Sequence, residues 1–313
     1  MDTEVRLTRL IQQLGPRTGA EVLAASPAPA FAQAEPGEQA FACWRAAVLS
    51  PRLVVRRVGT RYLRLDHKVE GFARLSPSIL REFLTYSVVG LVDDVSALDR
   101  RAAEVLAHVR AVSRAKLELA TGVVAGVAAR IAEDAGGGGD YCIFLAGDVV
   151  YDMAHDVPRP ERSTGKMVRG SDLDLVAVVD DAAPEALLRR LDAEMYQQKY
   201  RYLINPSARE EIDYIVKPLA RLREQMQCDT FKKMVACKIL HEGVFIHGSR
   251  ELFTAAKTLL EEYGVTRKLA TMEASAARLR RAAEERLLGT ERGILTADEL
   301  RLFFTTDEAE EFE

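Results

Sequence analysis

The sequence predicts an α+β fold in which a small mixed β-sheet is flanked by helices. Three short segments rich in β-branched and apolar residues, at 141–146, 173–179 and 212–216, have the composition of buried strands and alternate with segments of helical periodicity. The 313 residues are 48% hydrophobic and 29% charged, which is typical of a globular protein and sufficient for about two domains. No repeat of fixed period is present, so a solenoid or propeller is not expected.

We divide the chain into an N-terminal α/β module (1–95), a central domain (96–263) and a C-terminal part of helices and an acidic tail (264–313). The module opens with apolar residues at helical spacing from Leu7 to Leu14, and Gly15-Pro16 follows as a stop signal. The stretch from Ala24 to Gly37 is rich in Ala and Pro, which favours an extended connector.

Residues 52–81 are predicted to form a basic β-hairpin followed by a helix. Leu53 to Val58 and Arg61 to Leu65 have the composition of strands, and Gly59-Thr60 between them suits a two-residue turn. Ser76-Pro77 then offers a cap and first turn for a helix. The segment holds eight Lys or Arg and two acidic residues, so it could contact phosphate backbones as a winged helix does. A solvated hairpin face explains the same charges and is the commoner case.

The central domain is predicted to begin with a long helix. Ser96, with Asp99 three residues later, is the expected cap of a helix that reaches Ala135. A break near Gly122 could interrupt this helix, and the glycines at 136–139 end it. Later helices are expected from near Pro184, at 231–241, from Ser249 to Tyr263, at 268–288 and, through a capping box, from Thr296. The segment from Asp307 to Glu313 holds five acidic residues and is expected to be a mobile tail.

Charge and cysteine content limit the classes of partner. The net charge of −4 provides no overall attraction to nucleic acid or to an anionic membrane, so any such affinity must be local. Cys43, Cys142, Cys228 and Cys237 lack CxxC spacing, and we expect reduced thiols rather than a zinc site or disulfides. The apolar stretch 120–132 is too short to span a membrane and contains an arginine. Without an apolar segment near the N-terminus, the cytoplasm is the expected compartment.

Two aspartates at the start of the second predicted strand point to metal chemistry. In the run Gly170-Ser171-Asp172-Leu173-Asp174 the carboxylates alternate with leucines, so both carboxylates face one side while the leucines face the packing. Like charges at that distance repel and are costly in a partly buried setting unless a cation compensates them. Because oxygen ligands suit Mg²⁺ or Mn²⁺, we predict that Asp172 and Asp174 bind a divalent metal.

Asp213 is a third carboxylate in a similar setting, the lone acid inside the apolar strand from Ile212 to Val216. If the two strands are neighbours, the three acids can hold two ions about 3.5 to 4 Å apart, the spacing used for in-line phosphoryl displacement. One ion would lower the pKa of an acceptor hydroxyl, the other would bind a triphosphate, and Asp213 would accept the proton. The competing explanation is an acidic strand end at a sheet edge, with Asp213 bonded to a nearby arginine.

These residues resemble the nucleotidyltransferases of the DNA polymerase beta superfamily. The signature of that family is a helix, a strand ending in a Gly-Ser turn, an Asp-x-Asp strand and a third acidic strand. Leu145-Ala146-Gly147-Asp148 lies where the turn is expected, the aspartate pair matches the metal-binding pair, and Asp213 matches the third carboxylate. The stretch from Ile239 to Ser249 is similar to the segment after the third strand in many bacterial members. The resemblance covers roughly residues 97–262.

The resemblance implies a small mixed-sheet nucleotidyltransferase core with a nucleotide site beside the metal. The predicted nucleotide contacts at the turn and the strand start are Gly147, Asp148, Gly170 and Ser171. Lys217, on the Asp213 face of its strand, and Lys238, on the following helix, are candidate triphosphate contacts, and a solvated lysine is the commoner case for each. Asp148 replaces the usual serine and is itself a candidate ligand. The insertion from Tyr151 to Val168 carries cations that could close over a triphosphate as a lid, and a plain mobile loop explains it equally well.

The implied reaction is transfer of a nucleoside monophosphate, AMP from ATP by family habit, to a hydroxyl with release of pyrophosphate. The acceptor could be an RNA end, a protein side chain, a nucleotide or a small molecule, and the basic segment 52–81 slightly favours RNA. A catalytically silent module that binds nucleotide or a protein partner is the alternative. No GxxxxGK[ST] or GxSxG motif occurs, and His155-Asp156 lacks the further ligands of a metal phosphohydrolase.

Overall fold

The computed structural model describes residues 3–25, 36–135, 140–161, 163–289 and 296–305. The described residues form a mixed α+β protein with eleven α-helices and eleven β-strands. In chain order the elements are α1 (Thr3–Leu14), β1 (Arg17–Thr18), α2 (Gly19–Ala25), α3 (Pro36–Leu49), β2 (Leu53–Arg57), β3 (Tyr62–Leu65), β4 (Ala73–Ser76), α4 (Ile79–Thr85), β5 (Ser87–Leu91), α5 (Val95–Ala135), β6 (Tyr141–Ala146), β7 (Pro158–Pro160), β8 (Met167–Arg169), β9 (Leu173–Val179), α6 (Glu185–Ile204), β10 (Ile212–Pro218), α7 (Leu219–Gln225), α8 (Phe231–Glu242), β11 (Val244–Gly248), α9 (Arg250–Glu262), α10 (Val265–Gly289) and α11 (Ala297–Phe303).

The chain divides into two compact units. The first consists of Met1–Arg64, Arg74–His108 and Glu273–Glu313, and the second of Leu65–Ala73 and Val109–Met272. The first unit thus includes α11 together with the N-terminal elements, and the division of the chain at residues 95 and 263 stays a prediction. In the described part of the chain no helix combines the length and apolar character needed to cross a lipid bilayer.

The first unit is built on a three-stranded antiparallel sheet in the order β1-β5-β2. Its core is aromatic: Phe303 of α11 meets Phe41 and Trp44 of α3 with ring centroids 5.4 and 5.5 Å apart. Val89 of β5 is fully buried in the same cluster. Burial of large rings contributes more to the stability of such a core than any single polar contact.

The predicted β-hairpin is wrong, although both of its strands exist. β2 pairs antiparallel with β5, from Leu53 opposite Leu91 to Arg57 opposite Ser87, and β3 pairs with β4. The reason is long-range: β5 is an almost entirely buried strand that offers β2 a full-length apolar partner. The sequence pattern does not predict β5, and proximity along the chain alone favours the neighbouring strand as the partner of β2.

Part of the positive charge in residues 52–81 is neutralised within the first unit. Arg61 forms ion pairs with Glu82 at 2.6 Å and with Glu284 at 2.7 Å, and Arg56 lies 2.9 Å from Asp99. These acids lie outside the segment whose charges were counted. The basic excess available to a nucleic acid is therefore smaller than the sequence suggested.

Two helix starts also differ from the prediction. The cap of α4 is Ser78, whose side chain accepts from the Arg81 amide, because Ser76 is still part of β4. For α5, Asp94 accepts from the Ala97 amide, and the helix continues through Gly122 without a break. α2, α3 and β11 were not predicted. Most of the connector 24–37, the glycines 136–139 and the acidic tail lie outside the described residues.

The second unit contains a four-stranded sheet in the order β10-β9-β6-β11. β9 and β10 are parallel, and the other pairs are antiparallel. Leucines and valines on one face pack against α5 and α6, with Val123, Leu175 and Leu191 in a single buried cluster. On the opposite face Phe144 packs against Phe253 of α9. Since side chains alternate along a strand, residues 172 and 174 belong to this second face.

Most predicted elements of this unit are confirmed. β6 and β9 have the predicted bounds, and β10 extends the predicted strand by two residues to Pro218. α6 begins directly after Pro184, and Ser249 caps α9 through the Leu252 amide. In the first unit, the predicted capping box at Thr296 is present in α11. The four cysteines are buried free thiols, as expected.

Candidate functional site

Three carboxylates converge where β9 and β10 begin. The two strands are parallel and in register, with Asp213 directly opposite Asp174, and Asp172 lies two residues earlier on the same face. One oxygen of each aspartate lies within 4.8 Å of the other two. The side chains of Asp172 and Asp213 are 34% and 49% exposed, so the group is open to solvent. The structure thus brings together the three aspartates that were predicted to share a site.

The turn after β6 passes close to the carboxylate of Asp174 at Gly147. Gly147 has φ +79° and ψ −159°, a backbone conformation that is essentially restricted to glycine. A Cβ at this position would lie 2.3 Å from Asp174 Oδ2. Glycine is therefore required on two counts, and the absence of a side chain is what lets the carboxylate approach the turn.

Ser171 fastens the start of the insertion to the start of β9. Its Oγ donates to Asp148 Oδ2 at 3.1 Å and accepts from the His155 amide at 3.1 Å, and its own amide donates to the His155 carbonyl. Gly170 has φ +61°, and a Cβ there would lie 1.7 Å from the His155 oxygen. Gly170, Ser171 and Asp148, all predicted nucleotide contacts, form one hydrogen-bonded junction next to Asp172.

The insertion reaches the carboxylates through Arg159 of β7. Its guanidinium lies 2.8 Å from Glu211 Oε2 and 3.9 Å from Asp172 Oδ2, and its Nε donates to the Gly170 carbonyl at 2.9 Å. Burial raises the pKa of Glu211; Arg159 lowers it, the neighbouring Asp172 and Asp213 raise it, and the net direction is upward. Arg159 therefore lies between the carboxylates of Glu211 and Asp172 and offsets their repulsion.

Lys199 of α6 compensates the third carboxylate. Its Nζ donates to Asp213 Oδ1 at 2.7 Å. Burial lowers the pKa of Lys199, but Asp213 and the more distant Glu211 and Glu161 outweigh burial, so the net pKa is raised. The sequence left open that Asp213 is bonded to a nearby arginine at a sheet edge. The structure has such an ion pair, with Lys199 instead of an arginine. Asp213 Oδ2 is not part of that hydrogen bond.

A buried lysine supports both strand starts from the core side. Lys116 of α5 is nearly inaccessible, and its Nζ donates to the carbonyls of Arg169 and Ser171 at 2.6 and 2.5 Å and to Glu210 Oε2 at 2.6 Å. All three donors of the ammonium are thereby used. Two of the acceptors precede Asp172 and the third precedes Asp213, so Lys116 holds the segments that carry the triad side by side.

The Gly147 turn is also bound by a network from α8. The Gly147 amide donates to Glu242 Oε1 at 3.0 Å, and Glu242 Oε2 accepts a short hydrogen bond from Lys238. Lys238 Nζ also lies 3.1 Å from the Tyr151 hydroxyl and 5.1 Å from the centre of that ring. Lys238, a predicted triphosphate contact, is thus linked to the turn through a carboxylate.

Lys217 lies on the same strand face as Asp213 but four residues further along, a rise of about 13 Å. Its Nζ donates to Gln225 Oε1 at 2.8 Å. Burial lowers its pKa to about 8, Arg221 acts in the same direction, and Cys237 acts against them. The structure does not bring this predicted nucleotide contact next to the three aspartates.

Four residues of this region are not among the predicted site residues: Lys116, Lys199, Glu211 and Glu242. A signal existed for Lys116, since it occupies a position three residues after Ser113 and four before Ala120 in the buried stripe of α5, where a charge needs a partner. Nothing in the local pattern indicates Lys199, because it reaches Asp213 only through the packing of α6 beside the edge strand β10.

Comparisons of the chain with protein family models, with curated proteins and with solved structures return no match. The interpretation of the site therefore depends on its own geometry and on the resemblance of its residues.

Proposed function

We propose that the protein is a metal-dependent nucleotidyltransferase of the DNA polymerase beta-like kind, which moves a nucleoside monophosphate from an NTP, with ATP as the favoured donor, to a hydroxyl. The single observation that carries the proposal is the convergence of one oxygen each from Asp172, Asp174 and Asp213 within 4.8 Å. The chain order of α5, β6, the Gly147 turn, β9 and β10 supports it, because this order is the one the resemblance implies.

The donor set suits Mg²⁺ or Mn²⁺. Three carboxylates supply hard oxygen ligands, and their half-exposed position leaves room for water and substrate oxygens. Asp172, Asp174 and Asp213 would hold the metal, which when bound supplies charge stabilisation to a transferring phosphoryl group and acidifies a hydroxyl. The close approach of Gly147 to Asp174 fixes one carboxylate beside the turn that would receive phosphates.

The side chains have separate roles in this proposal. Asp213 Oδ2 accepts the proton of the acceptor hydroxyl, because Oδ1 is held by Lys199. The Gly147 amide and Lys238 bind phosphate oxygens once the Glu242 carboxylate has moved away from both donors. Arg159 lies within reach of Asp172 and limits the repulsion among the acids. The acceptor hydroxyl attacks the α-phosphorus, the bond to the pyrophosphate oxygen breaks, and pyrophosphate leaves with its electron pair.

The test combines metal binding with turnover. Calorimetry measures Mn²⁺ binding, and incubation with α-labelled ATP and Mg²⁺ measures pyrophosphate release and label transfer. We expect the Asp172→Asn, Asp174→Asn double variant to remain folded and to lose both signals. The charge-matched control replaces the exposed Asp140 and Asp192 of the same unit by Asn and is expected to behave as the wild type. Full turnover by the site variant would reject the assignment.

A catalytically silent nucleotide-binding module is the second candidate. It is favoured by the internal compensation of the site, since Lys199 neutralises Asp213, Arg159 stands against Glu211 and Glu242 already accepts from the Gly147 amide. ATP binding by the wild type without pyrophosphate release, across a screen of RNA, protein and small-molecule acceptors, would identify this case.

A further inference from the structure

The C-terminal half of α6 presents an unusual face to solvent. Tyr196, Tyr200 and Ile204 are 60%, 56% and 43% exposed, and their spacing of four residues puts them in one stripe along the helix. An amphipathic helix ordinarily turns such residues toward the core and polar residues outward. Three large side chains in a row on the outer face therefore indicate an interaction surface rather than scattered surface residues.

In the C-terminal half of α6 the exposed charge of this face is positive. The other exposed members of the stripe are Gln197 and Arg201, and Arg209 is exposed in the loop that follows the helix. Of the two acids that precede this half of the helix, Glu194 is buried and bonded to Arg130. Asp192 is exposed and lies one helical turn before Tyr196. From Tyr196 to Ile204 the helix has no acidic residue, so a polyanion along this half would meet aromatic rings and a cation, with Asp192 beyond its N-terminal end.

The stripe adjoins the carboxylate site. Lys199, which lies between the two exposed tyrosines in sequence, reaches Asp213 with its ammonium group. A ligand lying along the stripe is therefore within about one helical turn of the residue that bonds the third aspartate.

We propose that this stripe binds single-stranded nucleic acid, with bases stacked on Tyr196 and Tyr200 and phosphates paired with Arg201. The α-carbons of the two tyrosines are about 6 Å apart along the helix, so one strand can reach both rings. Stacking of bases on aromatic side chains beside cations is the usual way in which proteins hold single strands without reading their sequence. The further step, that the terminal hydroxyl of the bound strand is the acceptor, rests on the proposed function.

The binding test uses the full-length protein and a fluorescein-labelled single strand of about 12 nucleotides, as RNA and as DNA. Fluorescence anisotropy is measured in EDTA, so binding does not depend on the carboxylate site. We expect the Tyr196→Ala, Tyr200→Ala variant to bind at least tenfold more weakly than the wild type, and the Tyr196→Phe, Tyr200→Phe variant to bind normally, because stacking needs only the ring.

The matched control is Tyr263→Ala, which removes a tyrosine of similar exposure, 53%, in the turn after α9. Absence of binding by the wild type, or equal losses in Tyr263→Ala and the double alanine variant, would overturn the proposal. A wild-type dimer that dissociates in the double alanine variant would also overturn it, by assigning the stripe to a second copy of the chain. Analytical ultracentrifugation measures that outcome.

Label transfer separates this inference from the proposed function. Transfer of labelled AMP to the bound strand by the wild type, and its loss in the double alanine variant, supports both. If the wild type binds the oligonucleotide but does not bind Mn²⁺, the proposed function is refuted and the stripe proposal stands. If the wild type binds Mn²⁺ and releases pyrophosphate but does not bind the oligonucleotide, the stripe proposal alone is refuted.

Discussion

Replacement of Gly147 by alanine tests the site at its tightest point. The added Cβ would lie 2.3 Å from Asp174 Oδ2 and 3.3 Å from Asp174 Cγ. The atoms in its way belong to the end of a side chain and not to the backbone, so the carboxylate can rotate aside. The substitution therefore displaces a metal ligand more than it disrupts the fold.

The magnitudes follow from these two effects. An alanine in the backbone conformation of Gly147 costs about 1 to 3 kcal/mol of unfolding free energy. Rotation of Asp174 removes one of three carboxylates from the site, and we expect Mn²⁺ affinity to fall at least tenfold, which corresponds to about 1.4 kcal/mol. The loss in metal affinity thus adds to a moderate loss in stability.

The assay pairs urea unfolding with calorimetric Mn²⁺ titration. Gly165→Ala is the control, since Gly165 also has a positive φ, +65°, but no atom lies within 4 Å of a Cβ built there. It is expected to lose stability and to keep its Mn²⁺ affinity. Wild-type Mn²⁺ affinity in folded Gly147→Ala would refute the reasoning, because it would show that Asp174 does not depend on the turn.

Three further predictions concern lysines of the second unit. Lys199→Met removes the cation that competes for Asp213, and its Mn²⁺ affinity should rise by up to about fivefold, as expected for a half-exposed pair worth ~0.2 to 1 kcal/mol. Lys116→Met leaves Glu210 without its buried partner and should lower the unfolding free energy by about 3 to 5 kcal/mol in urea. Because burial lowers the pKa of Lys217 to about 8, folded protein releases this proton before unfolded protein does, and wild-type unfolding free energy should rise from pH 8 to 10 relative to Lys217→Met.

Each of these has a control. A fall in Mn²⁺ affinity in Lys199→Met would show that the lysine supports the site instead of competing with metal. Adding Glu210→Gln to Lys116→Met should restore part of the lost stability, and no restoration would contradict the pairing. Parallel pH profiles of the wild type and Lys217→Met would contradict the lowered pKa.

The sequence predicts the second unit better than the first for a physical reason. β6 and β9 are nearly continuous apolar runs bounded by glycine and charge, a local signal that buried strands provide. β2 also carries such a signal, but its partner β5 is thirty residues away, and strand pairing at that separation depends on tertiary packing. The predicted hairpin therefore had the right strands and the wrong partner.

The candidate site shows the same limit. Asp172, Asp174 and Asp213 could be selected because each is a charge in an apolar strand, and parallel pairing then places them together. Their compensating cations come from other elements: Arg159 from the insertion and Lys199 from α6. A single charged residue on a loop or a helix gives no local sign of the carboxylate it will contact.

The carboxylate of Glu242 accepts a hydrogen bond from the Gly147 amide and forms an ion pair with Lys238. It therefore occupies the position at which an anion would bind this amide. A ligand that reaches this amide must displace a resident negative charge, so it gains only the difference between its own interactions and those it replaces. Sulfate or inorganic phosphate from a buffer offers little such gain. An anion that binds this amide must therefore compensate for the displaced carboxylate, and we expect crystals grown in sulfate to retain Glu242 on the Gly147 amide.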